Sequence, residues 1–428
     1  MAKTSELKEF YKKGLDERLQ ILKDSAGLSE EELALLKKPS ALDFDIANRM
    51  IENVVGTFPL PYGIATNFIV NGKEVLVPMV TEEPSVVAAA SNAAKLCRST
   101  GGFKAKSSEP VMIGQILLVD VKHARKFKDL ILEKKKELLE LANSKDPVLA
   151  KFTGGAKDIE VRLLRPKRLV VHLLVNCGDA MGANAVNTML EGIAPELEKL
   201  TCSVARARII SNLAIYRTVK AECVWSKKDL EESTKGQFKG EDVAKAVFDM
   251  YLFAFKDPFR AATHNKGIMN GIDSVIIATG NDWRAIEAGA HSFASYGKQH
   301  YTSLTTYSVL SNGDLKGVIE LPMAVGLVGG ATKTHPIAKI SLKILGVKTA
   351  SELAEIVASV GLAQNFAAIR AIATEGIQRG HMKLHAKNVA VNAGATGELI
   401  EKIACKMADE KSINAQRALE LLKEYQKQ

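Results

Sequence analysis

DIEVRLLRPKRLVVHLLVN, residues 158–176, decides how the middle of the chain folds. Residues 158–164 and 168–176 are rich in valine, isoleucine and leucine, which read as two strands, and they are joined by a turn around Pro166. Outward from this pair, PVMIGQILLVDV (110–121) is a preceding strand, 126–143 an amphipathic helix, 182–199 a second helix and ARARIIS (205–211) a closing strand. The order βαββαβ over 111–211 is the ferredoxin-like arrangement.

The flanks follow other patterns. LSEEELALLKK (28–38) carries Ser29 and Glu32 in capping-box spacing, and residues 1–38 read as helices. NFIVNGKEVLVPMV (67–80) reads as a hairpin turning at Asn71-Gly72. TEEPSVVAAASNAAKLCRSTGG (81–102) reads as a helix with Pro84 in its first turn. Beyond the βαββαβ unit come a helix at 240–255, a strand at SVIIATG (274–280), a helix from Trp283 to Ala294 and a hairpin at Asn312-Gly313. From about 376 the chain is helical and charged. The expected class is α+β: a large mixed helical and sheet domain (1–109 and 220–375), an inserted ferredoxin-like small domain (110–219) and a helical C-terminal flap (376–428).

The 428 residues suffice for two or three domains, and the 46% hydrophobic and 25% charged fractions are those of an ordinary globular chain. The N-terminus is interrupted by charges, and no window approaches the roughly 18 apolar residues of a membrane span. Cys97, Cys177, Cys202, Cys223 and Cys405 are widely spaced with no C-x-x-C pair. A reducing, cytoplasmic location with free thiols is expected. A net charge of +9 could steer a polyanion, but runs such as EKKKE (133–137) also serve as solvated helix faces.

Several motifs fail on inspection. No G-x-G-x-x-G occurs, and GLVGGATKT (326–334) departs from the P-loop at Thr332. HMKLH places His381 and His385 at i, i+4, but Met382 replaces the glutamate of a zinc helix, so no metal is expected. EGIQRG (375–380) sets glycines around Gln378-Arg379 as a possible hinge for His381. Glu82 and Glu83 open the helix after VTEEPS, where favourable interaction with the helix dipole accounts for both. Lys266 is less ordinary: in ATHNKGIMNGIDSVIIATGNDWRA (262–285) it reads as standing in a glycine-asparagine turn, joined by a strand to a second turn that carries Asp282.

The segments ENVVG (52–56), EEPSVVAAAS (82–91), DAMGANAVNTM (179–189), THNKGIMNGID (263–273), ATGNDWRA (278–285), GLVGGATKTHP (326–336) and GIQRGHMKLH (376–385) together resemble 3-hydroxy-3-methylglutaryl-coenzyme A (HMG-CoA) reductase, its class II form above all. One local departure is SNLAIYRTVKAE (211–222), where the family more often has a charged residue after SNLA. The resemblance implies reduction of a thioester to mevalonate and free coenzyme A by two hydride transfers, through mevaldyl-CoA and then mevaldehyde. It implies catalytic roles for Glu83, Lys266, Asp282 and His381, the last as the acid for the departing thiolate. Ser85, Arg260, Thr263 and Asn270 would bind the hydroxymethylglutaryl portion, and Asp179, Met181, Gly182 and Asn184 the nicotinamide cofactor. Asp146, a match to an adenosine-ribose reader, favours NADH over NADPH unless Lys145 and Lys151 receive a phosphate. A homodimer with interfacial sites, or a hexamer built as a trimer of dimers, is the implied assembly. Two rival readings lack their residues. An acylating aldehyde dehydrogenase would need a nucleophilic cysteine, and a nucleic-acid module would need aromatics on the 158–164 and 168–176 strands.

Overall fold

The computed structural model describes residues 4–38, 42–164, 166–374, 386–410 and 412–426. A hairpin of β1 (Tyr62–Val70) and β2 (Lys73–Val80) turns at Asn71 and Gly72, both at positive φ (50° and 75°), the backbone that a two-residue primed turn requires. A second sheet holds β3 (Lys104–Ser107), β8 (Thr218–Trp225), β10 (Leu315–Pro322) and β9 (Thr305–Val309), in the order β3-β8-β10-β9. Between the paired neighbours β3 and β8 the chain leaves to build a third sheet from β4 (Val111–Val119), β5 (Ala156–Leu164), β6 (Arg168–Asn176) and β7 (Val204–Ser211). These four run β5-β6-β4-β7, every neighbour antiparallel.

The third sheet follows from its sequence. β6 is buried from Leu169 to Val175 because both of its faces are covered, hence the unbroken apolar run. On one face lies the Ala183–Thr201 helix, whose close approach depends on Gly114: a Cβ there would sit 2.7 Å from Val186. The other face carries a small cluster of Val111, Ile113 and Leu174 against Ile215. The helix expected over 126–143 is two, Ala124–Glu133 and Lys135–Lys145, broken at Lys134.

The main core gathers around the Ala350–Ala373 helix, against which Trp225 stacks on Phe366 with ring centroids 3.8 Å apart. This helix corrects one expectation: by length and a hydropathy of 1.5 it could cross a membrane, yet 67% of that window is buried inside the protein. Its partner is the Pro258–Ala278 helix, and here the sequence reading is overturned. Residues 258–278 form one continuous helix capped by Asp257, with neither a turn at Lys266 nor a strand at 274–280. Gly271 does not turn the chain; it lets two helices touch, since a Cβ there would lie 2.8 Å from Gln364. The first-turn placement of Pro84 is also revised. The helix is Val86–Leu96, and Pro84-Ser85 is a turn before it, with Ser85 at φ 72°.

The N-terminal segment forms helices Leu15–Ala26 and Glu30–Lys37, the latter closed by reciprocal Ser29–Glu32 bonds of 3.2 and 2.7 Å. At the other end Glu398–Asp409 and Ala415–Gln426 pack together, Met407 and Leu421 lying in a cluster separate from the main core.

Candidate active site

On the Pro258–Ala278 helix, Thr263, Lys266 and Asn270 follow at i, i+3 and i+7 and so share one face. Opposite His264, Asn265, Ile268 and Met269, which are buried, this face is open enough to leave Lys266 exposed. The Pro84–Ser85 turn carries Glu83 outward from the end of β2 to meet it. Lys266 Nζ donates to Glu83 Oε2 at 2.7 Å, and Asn270 Nδ2 donates to Glu83 Oε1 at 3.2 Å. Both oxygens of one carboxylate are thereby held from a single helix face. Thr81 Oγ1 accepts from the Glu83 amide at 3.2 Å and shapes the approach, while Glu82 points to solvent outside any helix, so neither glutamate occupies a first helical turn.

Arg260 is half-buried at the start of the same helix, its amide capped by Asp257 at 2.7 Å, and burial pushes its guanidinium below its ordinary range. One turn on, His264 is buried against Thr305 (2.7 Å) and Ser303 (2.9 Å). Burial, reinforced by the Arg260 charge, pushes its pKa down to about 3, so it stays neutral and serves the packing.

Asp282 is not brought to Lys266 within the chain. It is exposed and caps the Trp283–Phe293 helix by accepting from the Ala285 amide at 3.1 Å. From Lys266 the helix runs on to Ala278 first, about 18 Å at the α-helical rise. His381 lies outside the described residues, as do Gln378, Arg379 and His385.

The 178–182 loop forms a second locus, tied down on three sides. Arg217, 5% exposed, donates to the carbonyls of Ala180 (2.9 Å), Met181 (3.2 Å) and Val325 (2.6 Å). Leu327 donates to the Asp179 carbonyl at 2.8 Å, and the Asp179 carboxylate accepts from Ala350 at 2.7 Å, at the start of the central helix. Gly326 lies so close that a Cβ would be 2.7 Å from the Met181 nitrogen. GLVGG is thus a packing partner of DAMG, joined also by an Ala180–Val328 bridge. Arg217 escaped the sequence reading because a lone arginine ahead of a strand carries no local signal.

Gly182, at φ 104°, has Cys177 Sγ where a side chain would stand, and it opens the 19-residue Ala183–Thr201 helix. That helix start has no side-chain cap and no acidic residue in its first turn, and Asn184 is exposed there. Free N–H groups without a competing carboxylate suit the phosphates of a dinucleotide. Cys177 beside the loop is buried, which pushes its thiol up to about 11, so it is no nucleophile. That weighs against an acylating dehydrogenase. Asp146 caps the Pro147–Thr153 helix, accepting from Leu149 at 2.9 Å.

Residues 14–386 match the family model for hydroxymethylglutaryl-coenzyme A reductase. The chain is 53% identical to the 3-hydroxy-3-methylglutaryl-coenzyme A reductase of Archaeoglobus fulgidus, over 98% of this chain and 95% of that one. A probable reductase of Borreliella burgdorferi is 33% identical over 89% and 86%. Among solved structures, the class II enzyme of Streptococcus pneumoniae bound to NADPH in open conformations is 44% identical with a TM-score of 0.81, over 97% of this chain and all (100%) of that one. Shared motifs, shared fold and this coverage lead to one conclusion: the chain belongs to the hydroxymethylglutaryl-coenzyme A reductase family, in its class II form.

Proposed function

We propose that this protein interconverts HMG-CoA with mevalonate and free coenzyme A, in the cytoplasm, by two hydride transfers through mevaldyl-CoA and mevaldehyde. The observation that carries the reading is the Lys266–Glu83 contact of 2.7 Å, a cation and a proton carrier side by side on an open helix face. Each reduction turns a carbonyl oxygen into an oxyanion. Lys266 stabilises that charge as it develops, and Glu83 donates the proton that converts the second oxyanion into the alcohol. Asn270 and Lys266 hold the carboxyl in place between steps. Ser85, in the turn two residues after Glu83, and Arg260 and Thr263, on the Lys266 helix, would bind the hydroxymethylglutaryl portion, Arg260 through its free carboxylate. His381 protonates the leaving thiolate.

A bound dihydronicotinamide supplies the hydride. Its phosphates would lie on the Ala183–Thr201 helix start, with Asp179, Met181, Gly182 and Asn184 forming the loop that Arg217 stiffens. We read β4–β7 with their helices as a ferredoxin-like insert, residues 110–219, that presents this loop to the larger domain, and residues 376–428 as a flap that closes over it. The Asp282 position supports a homodimer. It lies past the far end of the helix and makes no ion pair with Lys266, so in this reading a second subunit delivers it. Phe259 (86% exposed), two turns before Lys266 on its helix, Val55 in the ENVVG segment and Phe58 just after it offer apolar surface for such a contact, and trimerisation of dimers would make a hexamer.

The deciding test is nicotinamide oxidation with HMG-CoA, run separately with NADH and NADPH. Turnover with at least one is expected, and none with either overturns the function. We read Asp146 as favouring NADH, although the pneumococcal relative holds NADPH. Asp146→Ala should shrink a wild-type kcat/KM preference for NADH. An NADPH preference, or an unchanged ratio, reduces Asp146 to the helix cap already seen.

A further inference from the structure

Seven residues past Lys266, on the same helix face, Asp273 sets its carboxyl against that of Glu287 on the Trp283–Phe293 helix. Its Oδ1 is shut off from solvent and meets no donor among the described residues. Glu287 has a second neighbour, His291, whose Nε2 lies 3.3 Å from its Oε2. The opposite imidazole nitrogen, Nδ1, is 2.7 Å from Tyr301 Oη, and the Asn265 side chain lies within reach of Tyr301.

One consistent placement of protons satisfies this chain of contacts. The Asn265 amide donates to the Tyr301 oxygen, the Tyr301 hydroxyl donates to His291 Nδ1, and His291 Nε2–H donates to Glu287. The remaining contact, between two carboxyls, is favourable only if one of them carries a proton. A proton on Asp273 donates to Glu287 and removes the unmatched oxygen. The chain therefore closes on itself, because both of its ends, Asn265 and Asp273, belong to the helix that bears Lys266 and Asn270. Asn265 is fixed further by bonds to Thr302 O (2.9 Å) and the Leu304 amide (3.0 Å). The middle of the chain, Glu287 and His291, sits on the helix that Asp282 caps.

We infer that Asp273 and Glu287 hold one proton between them, and that this proton closes a hydrogen-bonded bracket positioning the Lys266–Asn270 face against the helix that carries Asp282. The catalytic consequence rests on the function proposed above; the shared proton does not. Burial first, and the Glu287 carboxyl second, push Asp273 up to about 8. The titratable groups turned towards the pair are Glu287 and His291 from the neighbouring helix and, through His291, Tyr301; no lysine or arginine acts on Asp273 among the described residues. Because the folded pKa lies above the ordinary 3.8, the folded protein keeps a proton that the unfolded chain releases. Stability drawn from it is complete below about pH 4 and lost as pH rises to about 8.

Asp273→Asn and Asp273→Ala separate positioning from bulk structure. An asparagine amide donates to Glu287 as the protonated acid does, but has no proton to lose; alanine donates nothing. D273A should lose between about tenfold and about a hundredfold in kcat, with a smaller change in KM. D273N should recover most of that loss and hold its kcat above pH 8, where the wild type declines. The Tm of the wild type relative to D273N should fall between pH 4 and 8, and the wild type should show at pH 7 a protonated-carboxyl infrared band that D273N lacks. Parallel pH profiles for wild type and D273N, equal damage in both variants, or no such band would each overturn the inference. The Tm and infrared arms stand even if HMG-CoA is not turned over, and the wild-type band alone decides if the variants fail to fold.

Discussion

Lys266 extends from the side of its helix with 60% of its side chain in solvent, and Glu83 is 36% exposed. An ion pair this open contributes about 0–1 kcal/mol to folding, because water screens it and both side chains lose freedom. Its tight geometry is therefore better explained by chemistry than by stability. Lys266→Ala should leave Tm nearly unchanged while cutting reduction of both HMG-CoA and free mevaldehyde by about a hundredfold or more, the scale of losing one oxyanion donor. Parallel assays on the two substrates with a melting curve check it. A variant that reduces mevaldehyde normally would show that Lys266 does not meet the oxyanion. At this scale the glycine-asparagine setting singled out Lys266, whereas both glutamates read as helix-start residues and Glu83 stood out only through the motifs of the family resemblance. What they concealed was the backbone. Asn265, Gly267, Asn270 and Gly271 imitate a turn, and only the contact of Gly271 with Gln364, 93 positions away, explains a glycine inside a helix.

Among the elements, the strands read well because their period of two and their turn residues are local properties: Asn71-Gly72 and the β5–β6 pair around Pro166 fall where expected. The stretch SVIIATG misled for a physical reason. A short apolar run buried on all sides looks the same in a core helix as in a core strand, and Val275 and Ile276 are fully buried. The 178–182 loop shows a second limit, since its conformation is imposed from outside by Arg217 and the 325–328 segment. Arg217 is a buried guanidinium satisfied by carbonyls of both segments, and no other side chain has that reach and fork. Arg217→Lys should cost about 3 kcal/mol or more in chemical denaturation, because the lost bonds leave buried carbonyls unmatched. It should also raise the KM for the nicotinamide cofactor more than that for HMG-CoA. Equal KM changes would detach the loop from cofactor binding.

For the whole molecule, the decisive fact is that Lys266 and Asp282 lie at different places on one pair of helices. In the homodimer proposed above, a subunit damaged at Lys266 and another damaged at Asp282 should therefore complement each other. Co-refolding Lys266→Ala with Asp282→Ala should restore about a quarter of wild-type activity, since half of randomly paired dimers are mixed and each mixed dimer has one intact site. Inactivity of the mixture, with mixed dimers verified by mass, would place both residues in the same subunit's site and remove the shared-site reading.

The contact between Glu83 and Lys266 spans 183 positions, and the whole β4–β7 sheet lies within that span. Every strand pair of that sheet forms within residues 111–211, so it can be complete while Lys266 is still unmade on the ribosome. Bringing Glu83 to Lys266 closes a long loop, whose entropic cost must be met before that contact is made. A newly synthesised chain can thus hold a folded β4–β7 sheet before the Glu83–Lys266 contact exists, and on the function proposed above its chemistry waits for residues 83 and 266 to meet.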